Sequence, residues 1–205
     1  MQDRVKAILA GLDLWAEWPS PTQRRIVGAA LESFAERGFH GTSLKHIAAG
    51  SGLSTAALYV HFASKEELLF ALSRRGHALA RDLVAQAAEG EPARALSVLV
   101  AAFTHWHAEH RTIARVVQYE QSALEHGHAL EIAALRRDTE RIVRDLLGRG
   151  VDAGVFAVSD VPGAAAAVLS LGIDVARWYG PRGRWSPHEL AELYADLAAR
   201  MLGVP

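Results

Sequence analysis

Thr55, Tyr59, His61 and Lys65 stand close together in the run STAALYVHFASKEELL, with small and apolar residues between them. A hydroxyl, a phenol, an imidazole and an ammonium at that spacing suit hydrogen bonding to an anionic surface better than turnover of a substrate. Catalytic signatures are missing elsewhere. There is no Gly-rich phosphate loop, no nucleophile elbow and no HExxH pair. Ten histidines raise the question of a metal. His105 and His107 are two apart, so a helix puts them on opposite sides. His107 and His110 could share an ion, with His126 or His128 and Glu109 completing the set. A pair such as Asp174 with His188 is what ten histidines produce by chance. No metal, no cofactor and no enzymatic activity are expected.

Helices must position these groups, because the apolar residues recur at helical spacing and no long alternating run exists. Ser20 as N-cap and Pro21 at the first helical position open a helix that lasts until Gly38. Ser43 caps the next one, up to Gly50 and Gly52. A short helix runs from Ser54 to about His61. Ser64-Lys-Glu-Glu67 reads as a capping box before a long helix ending near Gly90. Further helices are expected at about 92–108, 111–126, 130–150, 163–179 and 188–202, with Gly127 as a break and GPRGRWSP as a turn. In the leader, Val5, Ile8, Leu9, Leu12 and Trp15 follow an amphipathic pattern, so residues 1–18 are an extra helix or a partly mobile arm.

Residues 43–61 therefore read as helix, Gly-containing turn, helix. The second helix is short, and Thr55, Ala56 and Ala57 at its start let its backbone approach base edges in a major groove about 12 Å wide. Tyr59 and His61 can reach phosphates or thymine methyls. Leu58 and Phe62 face inward toward Ile26, Phe34 and Ile47. Lys65 lies at a helix N-terminus, which favours an anion. The charge is distributed to match. Net charge is −1 overall, but residues 20–65 hold five bases against two acids, and the rest of the chain from Glu66 holds fifteen bases against eighteen acids. A basic part on a mildly acidic body suits phosphate binding at one end.

The block from Arg25 to Leu69 resembles the DNA-binding domain of the TetR family of bacterial transcriptional repressors, AcrR-like members included. The signs are Phe34, Gly38, Thr42, Ile47, Ala48, Gly52, Leu58, Tyr59, Phe62, Lys65, Glu66 and Leu68. The resemblance implies DNA contacts at Thr42, Thr55, Ala57, Tyr59, His61 and Lys65; Ser43, Lys45 and Ser54 complete the expected set. Ala56 and Ala57 lack polar side chains, so thin direct base readout is expected from this helix. The implied architecture is all-α: a three-helix helix-turn-helix domain plus a larger C-terminal helical domain that binds a ligand and dimerises. The partition expected is 1–19 extension, 20–66 DNA-binding and 67–205 ligand-binding and dimerisation. The implied partners are a double-stranded operator of palindromic form, a second copy of the chain and a small-molecule effector.

Residues beyond that block are read on their own. The Ala- and Gly-rich stretch at 163–179 permits close helix approach, and with 188–202 it is the expected dimer contact. Phe103, Trp106, His107, Tyr119, Arg136, Asp174 and Trp178 are candidate ligand contacts, since pockets are mostly apolar with a few polar groups. An aromatic at helical spacing is core more often than pocket, so core is the competing reading for each of them. Arg136, Arg137, Arg141 and Arg144 form a stripe, either a solvated face paired with Asp138, Glu140 and Asp145 or a landing place for an anionic headgroup. The tail IDVARWYGPRGRWSPHELAELYADLAARMLG is similar to members that sense acyl-CoA thioesters. The chain has no cysteine, no export signal and no eighteen-residue apolar run, so a cytoplasmic location without a membrane partner is expected.

Overall fold

Serine, acid and proline punctuation sets where the helices start. The computed structural model describes residues 1–180 and 182–204, so Pro181 of the expected GPRGRWSP turn lies outside the described residues. Among the described residues there are ten α-helices and no strand: α1 (Gln2–Ala10), α2 (Pro21–Gly41), α3 (Leu44–Ser51), α4 (Thr55–Tyr59), α5 (Lys65–Ala87), α6 (Pro92–Glu109), α7 (Arg111–Tyr119), α8 (His126–Asp152), α9 (Val161–Trp178) and α10 (Pro187–Met201). A single 3-10 turn, Gln121–Ala123, lies between α7 and α8. Side-chain caps are real at Ser43, Ser54, Glu91, Asp160 and Ser186, each accepting from a backbone N–H of the first turn. Ser64 accepts from the Glu67 amide as expected, while the Glu67 carboxylate accepts from Ala63 N at 2.6 Å rather than from Ser64.

Three boundaries differ from the sequence reading. The helix expected at 111–126 stops at Tyr119, and the 3-10 turn follows. The Glu125 amide is taken by the Glu66 carboxylate at 2.9 Å, a partner far away in sequence that local periodicity does not reveal. Gly127 does not break anything. It sits in the first turn of α8, where amides lack intrahelical partners and glycine costs little. The leader stripe through Trp15 is not one helix: α1 ends at Ala10 with Val5 and Ile8 buried, and Leu14 and Trp18 are buried separately. Gly38 is where sequence places the end of its helix, and its φ of 68° and ψ of 170° do interrupt α2 there.

The chain divides into two compact units. One comprises Met1–Leu12, Leu79–Arg111 and Leu135–Pro205; the other comprises Asp13–Ala78 and Thr112–Ala134. This division follows packing. It groups α1 with the C-terminal helices and α7 with the helix-turn-helix, and its boundaries fall inside α5 and α8. In the unit holding Asp13–Ala78, α2 packs on α3 and α3 on α4. Ile26, Phe34, Ile47, Leu58, Leu68 and Leu69 are all but completely buried in it. Each such side chain contributes roughly 1.5–3 kcal/mol relative to exposure. In the other unit α6 is the hub, packing on α10, α9 and α1. Gly172 of α9 lets the Phe103 ring approach so closely that a methyl there would overlap it.

Candidate nucleic-acid interface

The second helix of the motif is held from below and bare above. Leu58 is fully buried and Phe62 nearly so. Ser54 Oγ accepts from Ala57 N at 3.1 Å and thereby fixes the start of α4. Gly52 takes the left-handed conformation (φ 68°) that the turn between α3 and α4 requires. Tyr59 is 55% exposed and His61 is exposed beside it. Val60, absent from the expected contacts, is 80% exposed. An isopropyl group left in water at the end of such a helix can meet a thymine methyl. Its signal was present: among the residues between Leu58 and Phe62 it alone is β-branched and apolar, and neither periodicity nor capping calls for it.

Ser43, Lys45 and Ser54 are exposed, while Thr55 and Ala57 are half-buried at the start of α4. Ser43 Oγ accepts from His46 N at 3.2 Å, and the His46 ring accepts from Ser43 N at 3.3 Å. His46 is thus occupied as a cap. Both serine hydroxyls accept with a lone pair, so each keeps its O–H to donate to a phosphate oxygen.

Two expected contacts take a different form. Thr42 is 2% exposed, and its hydroxyl donates to the carbonyls of Ser33 and Gly38 at 2.9 and 2.8 Å. Its side chain ties down the end of α2 and faces no ligand. Lys65 donates to the carbonyls of Phe39 and Thr42 at 2.7 and 2.8 Å, with its ammonium 4.2 Å from the Phe39 ring centroid. That ammonium closes the turn between α2 and α3 over the start of α5. It places positive charge at the motif's edge, but its donors are largely engaged.

Behind the motif, Glu66 is buried and accepts from Glu125 N at 2.9 Å and from the His128 ring at 2.9 Å. The His128 ring lies flat on Phe70, centroids 3.7 Å apart. Donor atoms of Glu66, Glu125 and His128 lie within 4.8 Å of one another, close enough to hold a metal among the described residues. The two Glu66 oxygens already serve these partners, so the grouping is complete as a structural pair that fastens the start of α8 to the start of α5.

The expected ligand contacts separate. Phe103, Trp106 and His107 are buried together on α6, with the Phe103 and His107 rings 4.2 Å apart and Trp106 edge-on to His107. The His107 ring donates to Phe103 O at 2.8 Å, and burial lowers its pKa to about 4, so it is neutral at pH 7. Thr104 Oγ1 and Trp106 Nε1 are buried without a hydrogen-bond partner. Tyr119 is exposed on α7 and Arg136 on α8. Asp174 is exposed on α9, where the Arg177 guanidinium holds its carboxyl below the usual range. Trp178 is partly exposed and packs edge-on against Trp185. On the arginine stripe, Arg141 pairs with Asp138 at 3.0 Å.

Comparison with known proteins places this geometry. Residues 26–72 match the family model described as bacterial regulatory proteins, tetR family, and residues 89–202 match the Tetracyclin repressor-like C-terminal domain. The chain belongs to the TetR family. Its members are DNA-binding transcriptional regulators and not enzymes. UidR of Escherichia coli K12, an HTH-type transcriptional regulator, is 48% identical over 63 residues, which is 30% of this chain and 32% of UidR. The chain thus aligns with about a third of the length of that relative. The transcriptional repressor KstR2 of Mycobacterium tuberculosis is 28% identical over 177 residues, 82% of this chain and 86% of its own. A tetR-family regulatory protein from Rhodococcus RHA1 has the same architecture at a TM-score of 0.85 and 37% identity, covering 91% of this chain and 99% of that one. The TetR fold, an N-terminal helix-turn-helix followed by a helical C-terminal domain, is therefore that of this chain.

Proposed function

We propose that the chain is a repressor that binds a palindromic operator as a homodimer and is released by a small apolar or acyl-CoA-type effector. The observation that carries it is α4, anchored by a buried Leu58 and presenting Tyr59, Val60 and His61 to solvent. Burial of a helix on one side only, with aromatic and branched residues left wet on the other, is the form of a recognition helix. Ser43, Lys45, Ser54 and Thr55 supply donors around it. A cytoplasmic location goes with that role.

The dimer contact is α9 with α10. Gly163, Ala166, Ala167 and Ser170 are small and exposed on α9, and Leu197 and Met201 are each 44% exposed on α10. By length and composition α9 could also cross a membrane, and a third of it is buried. The exposed Asp174–Arg177 ion pair near its end suits a partly wet protein interface better than lipid. Two-fold pairing presents two copies of α4 to successive turns of one face of the duplex.

The effector reading rests on α6. A buried indole N–H and a buried hydroxyl left unpaired each cost on the order of 1–3 kcal/mol. An apolar ligand with an acceptor oxygen, as a thioester carbonyl provides, removes that cost at Trp106. The resemblance of the tail to acyl-CoA sensors supports a thioester among the candidates. Release follows by linkage if the effector prefers the state with low operator affinity. A second reading, metal sensing, would require Glu66, Glu125 and His128 to give up the contacts that now occupy the Glu66 oxygens.

A gel shift with DNA from upstream of the chain's own gene tests the proposal. A salt-sensitive, sequence-preferring complex, dissolved by long-chain acyl-CoA and indifferent to a chelator, supports it. Loss of the complex on chelation favours the metal reading, and the absence of any sequence preference refutes operator binding.

A further inference from the structure

We propose that the cavity roofed by α1 is a binding site for a small organic carboxylate. Helix α1 lies outside the segments matched by the two family models. It is nevertheless fastened in place. Val5 and Ile8 are buried, and the helix packs on α6. The Arg4 guanidinium donates to the carbonyls of Gln86 and Glu89 at 2.7 and 3.0 Å, satisfying acceptors at the end of α5. The Gln2 amide donates to Glu192 Oε1 of α10 at 2.7 Å.

What α1 encloses against α6 and α10 is a cavity of about 210 Å³. Its apolar wall is Val5, Leu9, Ala101 and Ala191, and its polar side includes Lys6, His105, His188 and Glu192. An apolar cavity of roughly 150 Å³ accepts benzene. This one therefore admits a ring or a chain of about six carbons together with a headgroup. The polar side selects the charge of that headgroup. Lys6, His105 and His188 line the space; His188 Nε2 lies 3.6 Å from Glu192, which the Gln2 amide also holds, and His105 Nε2 lies 3.4 Å from Glu109. Burial holds His105 below the ordinary imidazole pKa, with Glu109 opposing and His188 reinforcing that shift. At neutral pH it is an uncharged group that hydrogen-bonds toward Glu109 and lines the same space as Lys6. A carboxylate is the headgroup that the Lys6 ammonium can pair, while a cation there would meet Lys6.

Titration calorimetry on the full chain without DNA tests this, with benzoate and hexanoate as probes and benzamide and hexanamide as their neutral counterparts. The expected result is saturable binding of one carboxylate per chain, at least about tenfold tighter than the amides. Lys6→Gln changes an exposed side chain and should weaken benzoate about tenfold with the melting temperature unchanged. Ala191→Leu fills the cavity and should abolish binding; should it fail to fold, Lys6→Gln decides alone. No saturable binding, equal affinity for benzoate and benzamide, or full affinity in Lys6→Gln overturns the proposal. None of these outcomes involves DNA, so they stand apart from the test of operator binding.

Discussion

Replacing Tyr59 by alanine removes an exposed phenol from a helix whose anchors stay in place. Operator affinity should fall by about 1–3 kcal/mol, or tenfold to a hundredfold, in an anisotropy titration, with thermal stability unchanged within about 0.5 kcal/mol. Lys65→Ala differs in kind. It leaves the carbonyls of Phe39 and Thr42 without their ammonium, so stability to urea should drop by about 1–3 kcal/mol along with DNA affinity. His107 gives a pH signature. Its pKa is about 4 when folded against an ordinary 6.5, so the unfolded chain binds the extra proton between those values. The stabilisation is complete above pH 6.5 and is lost as pH falls toward 4, on the order of 3 kcal/mol in all. Urea unfolding of wild type and His107→Leu across that window measures it; the variant should lose this part of the pH slope.

Two elements set the geometry of the motif from outside it. The kink at Gly38 uses a φ of 68° that a residue with a Cβ rarely adopts. Gly38→Ala should cost about 1 kcal/mol or more of stability, read by chemical denaturation, and shift the start of α3. The pairing of Glu66 with the start of α8 is the other. Most helix starts were readable because Ser, Asp, Glu and Pro announce them locally, and the buried face of α2 to α4 was readable from Phe34, Ile47, Leu58 and Phe62. The failures share one physical cause. Where Lys65 and Glu66 point is decided by partners distant in sequence, and Thr42, a short polar side chain near a turn, turns back onto Ser33 and Gly38 although other uses were open to it. The same holds for the end of α7, which a distant carboxylate helps to fix. Gly127 misled because a glycine interrupts a helix only away from its first turn. For the ligand contacts, residue type grouped buried Phe103, Trp106 and His107 with exposed Tyr119 and Asp174 and gave no means of separating them.

At the scale of the whole molecule, recognition of a palindrome requires two copies of α4 acting together, so dimer and operator affinity are linked. Leu197→Glu places a charge on an exposed apolar face of α10 and should leave the chain folded but monomeric by sedimentation, with operator binding lost. The basic end on a mildly acidic body predicts that log K falls with log salt at roughly 0.9 per phosphate neutralised. The most direct measurement of the central claim is anisotropy of a labelled duplex from the gene's own upstream region, titrated with wild type and Tyr59→Ala against an unrelated duplex. The account predicts tight, salt-dependent binding of the upstream duplex by the wild type alone. Equal affinity for both duplexes, or a Tyr59→Ala protein that binds as well as wild type, would contradict it.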